Sequence, residues 1–286
     1  MTAFTVAGVP VEVLPTGRVT DLESVSLSGF AENESAHTRD DLEPFLLHLE
    51  ERTSEHGTQP DGNGPALVTA DNGLIRVRHS AFEAEIDPIR GCGRLQRDPR
   101  SEFPLRVTLR VAVCSRLPLV SRVPLHAAGV VVNNNGLVFF GPSGAGKTTL
   151  SRLSPKPVLS DELVVAGASP PELSNAGFFA SSPTTTRRHH LRALIELDKG
   201  AQFSMIRLGS QEAFRRLLSV TMIPASSVLW NASMRVISDL IHEVPVYRMA
   251  WTPSKPPWEL IASELDIADT RPIVADPTRH MKGLRH

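Results

Sequence analysis

Several features that would point to a membrane, a secretory route or a polyanion are missing from this chain. Its 286 residues carry 30 Lys and Arg against 31 Asp and Glu, a net charge of −1, so no overall field draws it to nucleic acid or to an anionic lipid surface. No run of about eighteen consecutive apolar residues occurs, so no membrane-spanning helix is expected. The first residues, Met1 to Pro15, lack a basic segment followed by a long apolar one. No signal peptide is therefore expected, and the expected compartment is the cytoplasm. Cysteine is scarce: Cys92 and Cys114 are too few for a disulfide framework and read as free buried thiols. Internal repeats and low-complexity blocks are absent too. What remains is an ordinary globular composition, 41% hydrophobic, in a chain long enough to bury one large core or two smaller ones.

Hydropathy divides the chain into a β-rich N-terminal region over 1–100, an α/β core over 101–268, and a polar, basic tail over 269–286 that is expected to be mobile. Near the start, Val6, Val9, Val11 and Val13 suggest two short strands. From Asp40 to Arg52, Leu42, Phe45, Leu46 and Leu49 recur at helical spacing, with Asp40 or Asp41 as a candidate N-cap. Four strands follow between 67 and 99; Leu74–His79 and Phe82–Asp87 alternate apolar and charged side chains, the pattern of antiparallel strands with one wet face. A helix is predicted over 102–117, with Pro104 in its first turn. Next comes a hairpin of two apolar runs joined at Asn134, Asn135 and Gly136. After it, the spacing predicts a buried strand carrying Asp161 and Glu162, a loop over 171–190, and a strand ending at Asp198-Lys199-Gly200. Two helices follow, the first capped by Ser210, and then a strand through Val246 and Tyr247.

The residues that carry chemistry lie directly after the hairpin. Gly141-Pro142-Ser143-Gly144-Ala145-Gly146-Lys147-Thr148 matches G-x-x-x-x-G-K-[ST] at every fixed position, between an apolar strand and a helix start. A polyphosphate is held by unpaired N–H groups at a helix N-terminus, and the loop that presents them must turn where a Cβ would obstruct. Lys147 supplies an ammonium for the β and γ phosphates, the Thr148 hydroxyl is an oxygen ligand suited to magnesium, and Thr149 adds an α-phosphate contact. Ser143, Gly144, Ala145 and Gly146 contribute the cradle. The expected ligands are ATP and Mg2+. The Asn-Lys-x-Asp motif of GTPases and the Leu-Ser-Gly-Gly-Gln signature of transporter ATPases are both missing.

An anionic partner for the metal is expected downstream. Asp161 and Glu162 lie fourteen residues beyond Lys147 in an apolar stretch. Adjacent side chains of a strand face opposite ways, so both reach one site only if the strand ends there. Asp161 is read as the base facing the γ phosphate and Glu162 as the group near magnesium; an ordinary acidic pair at a strand end is the alternative. The cluster Arg187-Arg188-His189-His190 is either a source of positive charge for a transferring phosphoryl group or a solvated loop. Trp230, Trp251 and Trp258 read as core or interface residues.

Residues Pro124–Leu150, with His126 ahead of the hairpin and Val158–Val165 after it, resemble the catalytic core of HPr kinase/phosphorylase-like proteins, related in fold to ATP-dependent phosphoenolpyruvate carboxykinase. The likeness spans roughly 100–250. It implies a mixed central β-sheet and an ATP-dependent kinase acting on a hydroxyl acceptor, either a serine of a peptide or protein or a small molecule. It also implies a homo-oligomer. In that family an acidic pair follows the loop; its first member matches Asp161, while Glu162 stands where the family has Asp. His126 matches a histidine near the phosphates. The competing expectation is a nucleotide-binding regulatory or scaffold subunit, possible company for a peptide-modification pathway. No nucleic-acid or membrane partner is expected.

Overall fold

The computed structural model describes residues 2–15, 42–51, 66–97, 103–175, 188–223 and 226–267. The expected tail over 269–286 lies outside them. The fold is α/β and strand-rich, with two mixed sheets and few helices. Among the described residues no helix is long and apolar enough to cross a membrane.

The first sheet contains β1 (Thr2–Val6), β2 (Val9–Pro15), β3 (Phe45–Glu51), β4 (Leu67–Asp71), β5 (Leu74–His79), β6 (Phe82–Asp87) and β7 (Cys92–Arg97), in the order β1-β2-β3-β7-β6-β5-β4. Its inner face is built by period-two alternation: Val9, Val11 and Val13, then Phe82, Ala84 and Ile86, are all buried. On the outer face, charges pair across strands, Arg76 with Glu85 and Arg78 with Glu83, each at 2.9 Å. Helix α1 (Phe103–Arg116) covers the inner face through Leu105, Leu109 and Val113, with Pro104 in its first turn as predicted.

The helix predicted over Asp40–Arg52 is instead strand β3 for its described part. Phe45, Leu47 and Leu49 are buried, whereas Leu46 is only half-buried. Four apolar residues in so short a window fit both periods. Parallel pairing of β3 with β2 on one side and β7 on the other satisfies its backbone groups and decides for the strand.

A 3-10 turn (Leu117–Val120) leads into the second sheet: β8 (Arg122–Leu125), β9 (Ala128–Val132), β10 (Asn135–Phe140), β11 (Val158–Ser160), β12 (Val164–Ala168), β13 (Pro171–Asn175), β14 (His189–Lys199), β15 (Ser204–Arg207) and β16 (Val246–Trp251). Its main path is β11-β9-β10-β14-β13-β12-β8, and β16 pairs with both β14 and β15. Strands β10, β14 and β16 run parallel, so their C-terminal ends meet at one edge of the sheet. One face is covered by α3 (Ser210–Leu218) and α4 (Ser227–Glu243), the other by α2 (Lys147–Arg152) and α5 (Trp258–Glu264).

Three local expectations shift. The hairpin turn is Asn133-Asn134, both with positive φ, while Asn135 and Gly136 already belong to β10. Ser210 is the first helical residue, and extended Gly209 holds the N-cap position, so the cap carries no side chain. The stretch read as a loop over 171–190 begins with strand β13. Buried arginines fasten these parts together: Arg116 ties the end of α1 to the first sheet, and Arg122 of β8 joins the second sheet to the first. Arg116 donates to the Pro88 and Glu43 carbonyls at 2.9 and 2.6 Å, and Arg122 donates to the Ala7 carbonyl at 2.5 Å and to Glu172 at 2.6 Å. Cys114 is buried, and burial pushes its thiol up to about 12, so it stays protonated and inert; Cys92 is half-buried, less covered than expected.

Candidate functional site

Strand β10 is apolar and buried up to Phe140, where its backbone has no side chain to spare for solvent. At Gly141 the chain leaves the sheet and turns through Pro142–Gly146, with the Ala145 N–H donating to the Pro142 carbonyl at 3.1 Å. Gly146 caps α2 at φ 102, a conformation costly to any residue with a Cβ. A Cβ there would also lie 3.1 Å from the Trp251 ring, which packs beneath the loop. Gly144 is different: its φ is 78, but nothing lies within 4 Å of where a Cβ would be, so its outer side is open. The first α2 backbone bond runs from the Leu150 N–H to the Gly146 carbonyl. The first-turn amides of Lys147, Thr148 and Thr149 therefore lie before the helical ladder, where N–H groups have no intrahelical acceptor. Trp258 closes the other end of this short helix, donating from Nε1 to the Leu153 carbonyl at 3.1 Å.

Lys147 is the one charged residue of the loop, and it is buried. Its Nζ donates to the Gly141 carbonyl at 2.8 Å and to the Pro142 carbonyl at 3.3 Å. Burial lowers its pKa below the ordinary lysine value. An ammonium held by carbonyls alone, with desolvation working against its charge, is well placed to gain from an anion.

The acidic pair does not sit inside a single strand as expected. Strand β11 stops at Ser160, and Asp161 and Glu162 occupy a bend before β12. The bend is fixed by Ser160, whose Oγ accepts from the Glu162 N–H at 3.2 Å and the Leu163 N–H at 3.1 Å, and by the Glu162 carbonyl, which accepts from the Ala127 N–H at 3.1 Å. Because the backbone turns there, alternation no longer separates the two carboxylates, and both border the same pocket. Ala127 is the neighbour of His126, so one backbone bond joins the acidic bend to the entrance of the hairpin.

His126, Ser143, Gly144, Gly146, Lys147, Thr148, Thr149, Asp161 and Glu162 together line a pocket of about 440 Å³. Gly141 and Ala145 stand behind it: Gly141 offers its carbonyl to Lys147, and the Ala145 methyl is buried in the core shared with Leu150 and Trp251. The Arg187–His190 cluster is elsewhere. Arg187 lies outside the described residues, Arg188 approaches Glu172 at 3.8 Å, the ring of His189, which opens β14, meets Asn134 at 3.3 Å, and His190 is exposed. None of the described three lines the pocket. Trp251, missed as a site residue, supports the loop from 105 positions beyond Gly146, a separation no local pattern reveals.

Among the described residues no group of three or more His, Cys, Asp or Glu converges. The pocket instead collects a threonine hydroxyl and two carboxylates beside a row of amides. Such an all-oxygen, incomplete donor set suits Mg2+, which is held by one or two protein groups together with substrate phosphates and water. No protein-family model matches the chain, and no curated protein matches it.

Proposed function

We propose that this protein is an ATP- and magnesium-dependent kinase with a core of the HPr kinase/phosphoenolpyruvate carboxykinase type, transferring the γ phosphate to a hydroxyl acceptor. The observation that carries the reading is the convergence, in one pocket, of a phosphate-type loop and two carboxylates from a bend 14 residues beyond Lys147.

On this reading the amides from Gly144 to Thr149 and the Lys147 ammonium bind the phosphates, replacing water by fixed donors. Thr148 and Glu162 would hold magnesium, directly or through water. When bound there, the ion supplies charge neutralisation for the β and γ oxygens. Asp161 accepts the proton of the acceptor hydroxyl as its oxygen attacks the γ phosphorus. The bond between that phosphorus and the β–γ bridging oxygen breaks, and ADP leaves with the electron pair. His126, which lines the same pocket, would donate to a phosphate oxygen.

The test is γ-phosphate transfer from ATP to serine-containing peptides and small alcohols, alongside ATP turnover. Activity lost in both Lys147→Ala and Asp161→Asn supports the reading; activity retained in both ends it. Glu162, where the resembled family has Asp, favours a second reading: a nucleotide-binding regulatory subunit. That reading predicts stabilisation by nucleotide with no turnover on any acceptor.

A further inference from the structure

A second concavity, about 410 Å³, lies where the edge of the first sheet meets α1 and the segment following α3. It is bordered by Val68, Thr69 and Ala70 of β4, Cys114 of α1, and Met222 with Ile223. Its size is within the range of sites that take a ligand group of several carbons.

The three β4 residues say what kind of group that is. Consecutive residues of a strand point to opposite faces. Three in a row can border one pocket only where it opens along the strand's edge, against its backbone. β4 is the last strand of its sheet, paired with β5 on one side, and among the described residues no strand lies on its other side. Natural sheet edges are commonly blunted by lysine, proline or a bulge. β4 carries none of these: it runs Leu67-Val68-Thr69-Ala70 in unbroken register with β5, and Leu67 and Val68 are 61% and 52% exposed. An edge whose one charge, Asp71, stands at its end, with an apolar recess beside its other residues, offers main-chain hydrogen bonds and a side-chain socket together, the two elements of strand addition.

One backbone segment also links the recess wall to the entrance of the loop pocket. Met222, in its wall, donates from its N–H to the Pro124 carbonyl at 3.1 Å; Thr221 bridges Leu125; and the Val220 carbonyl accepts from the His126 N–H at 2.8 Å. The recess wall and the His126 anchor are thus two residues apart on the segment that leaves α3.

We propose that β4 and the adjoining recess form a docking site for an extended peptide segment, which pairs with the β4 edge and seats an aliphatic side chain between Ala70, Cys114 and Met222. A second copy of this chain fits less well: pairing β4 with its own counterpart uses two pocket walls and leaves neither recess filled. A free aliphatic molecule would fill the recess but leave the edge amides to water. Docking of a peptide here stands whether or not the neighbouring pocket transfers phosphate.

The test is amide hydrogen exchange on the full chain, without nucleotide, using as probe a capped octapeptide that alternates leucine and serine. Alternate β4 amides are expected to exchange fast in the free protein and to slow by at least about tenfold with the peptide. Val68→Arg, and a probe methylated on alternate backbone nitrogens, are each expected to weaken binding by at least about tenfold. Unchanged ATP affinity and melting temperature in Val68→Arg would show its fold intact. The proposal is overturned if the octapeptide does not bind, or if the methylated probe binds as well as its parent. It is equally overturned if β4 amides are already slow in the free monomer, which means the chain covers its own edge. A dimer that Val68→Arg splits also overturns it, since the edge then belongs to a second copy.

Discussion

Replacing Lys147 with methionine should separate what the residue does for the ligand from what it does for the fold. The side chain keeps its unbranched stem up to the ε carbon and loses the ammonium. In the free protein two opposed effects follow. The buried Gly141 carbonyl loses a donor now 2.8 Å away, while an ammonium that burial disfavours is removed. An unsatisfied buried carbonyl costs about 1–3 kcal/mol, and relief from burying the charge is of the same order, so the net change in stability is expected to be within about 1 kcal/mol. With a triphosphate bound there is no such offset. Two charge-assisted contacts, about 1.5 kcal/mol or more each, are lost, weakening ATP binding by roughly 10²-fold. The pH dependence provides a sign. Lys147 in the fold has a lowered pKa, so between that value and the ordinary lysine value of about 10.4 the unfolded chain holds more protons. Stability contributed by this site therefore rises with pH across that window, and the rise is absent from the methionine variant. Calorimetric titration with Mg·ATP and chemical denaturation from neutral to alkaline pH measure both. Affinity within about threefold of the wild type would refute the reasoning about the ammonium. A free-protein loss well above about 1 kcal/mol would refute the claim that the two effects offset.

Asp161→Asn is expected to abolish phosphate transfer with ATP affinity nearly unchanged, whereas Glu162→Gln should chiefly raise the magnesium concentration needed for half-maximal binding; steady-state kinetics and magnesium titration separate the two. Gly146→Ala places a Cβ at φ 102 and 3.1 Å from Trp251, so it should lower stability by about 1–3 kcal/mol in urea denaturation, and Gly144→Ala, with open space around it, should cost less. In β3, Leu47→Ala should cost about 2–5 kcal/mol because the side chain is fully buried, and Leu46→Ala well under that; equal effects would point back to a helical face there.

How much of this architecture was legible in the sequence depended on how local its causes are. The hairpins from β4 to β7 could be read directly, because Ile75 and Val77 against Arg76 and Arg78 announce one wet face. Helix α1 and the loop from Gly141 to Thr148 were legible for similar reasons, a repeated stripe in one case and residues of unique conformational or chemical use in the other. Strand β3 was not, since its identity rests on partners 34 residues before it, as Val11 is to Phe45, and 46 after it, as Cys92 is to Leu46. The acidic bend was half-legible: the residue types showed, but not the Ser160 hydroxyl that fixes the bend by which both residues border one pocket. His126 entered through resemblance alone; nothing in its own surroundings in the sequence marks it. Trp251 under Gly146, and the recess shared by β4, α1 and Met222, belong to contacts between distant segments and left no local trace.

Phosphate transfer and nucleotide-dependent regulation alike require that the Lys147 pocket take a triphosphate. Isothermal titration of the full chain with ATP in the presence of magnesium addresses this directly. Saturable binding of one nucleotide per chain, lost in Lys147→Met and sharply weakened when magnesium is withdrawn, is the expected result. Folded protein that takes up no purine triphosphate, with or without magnesium, would contradict it.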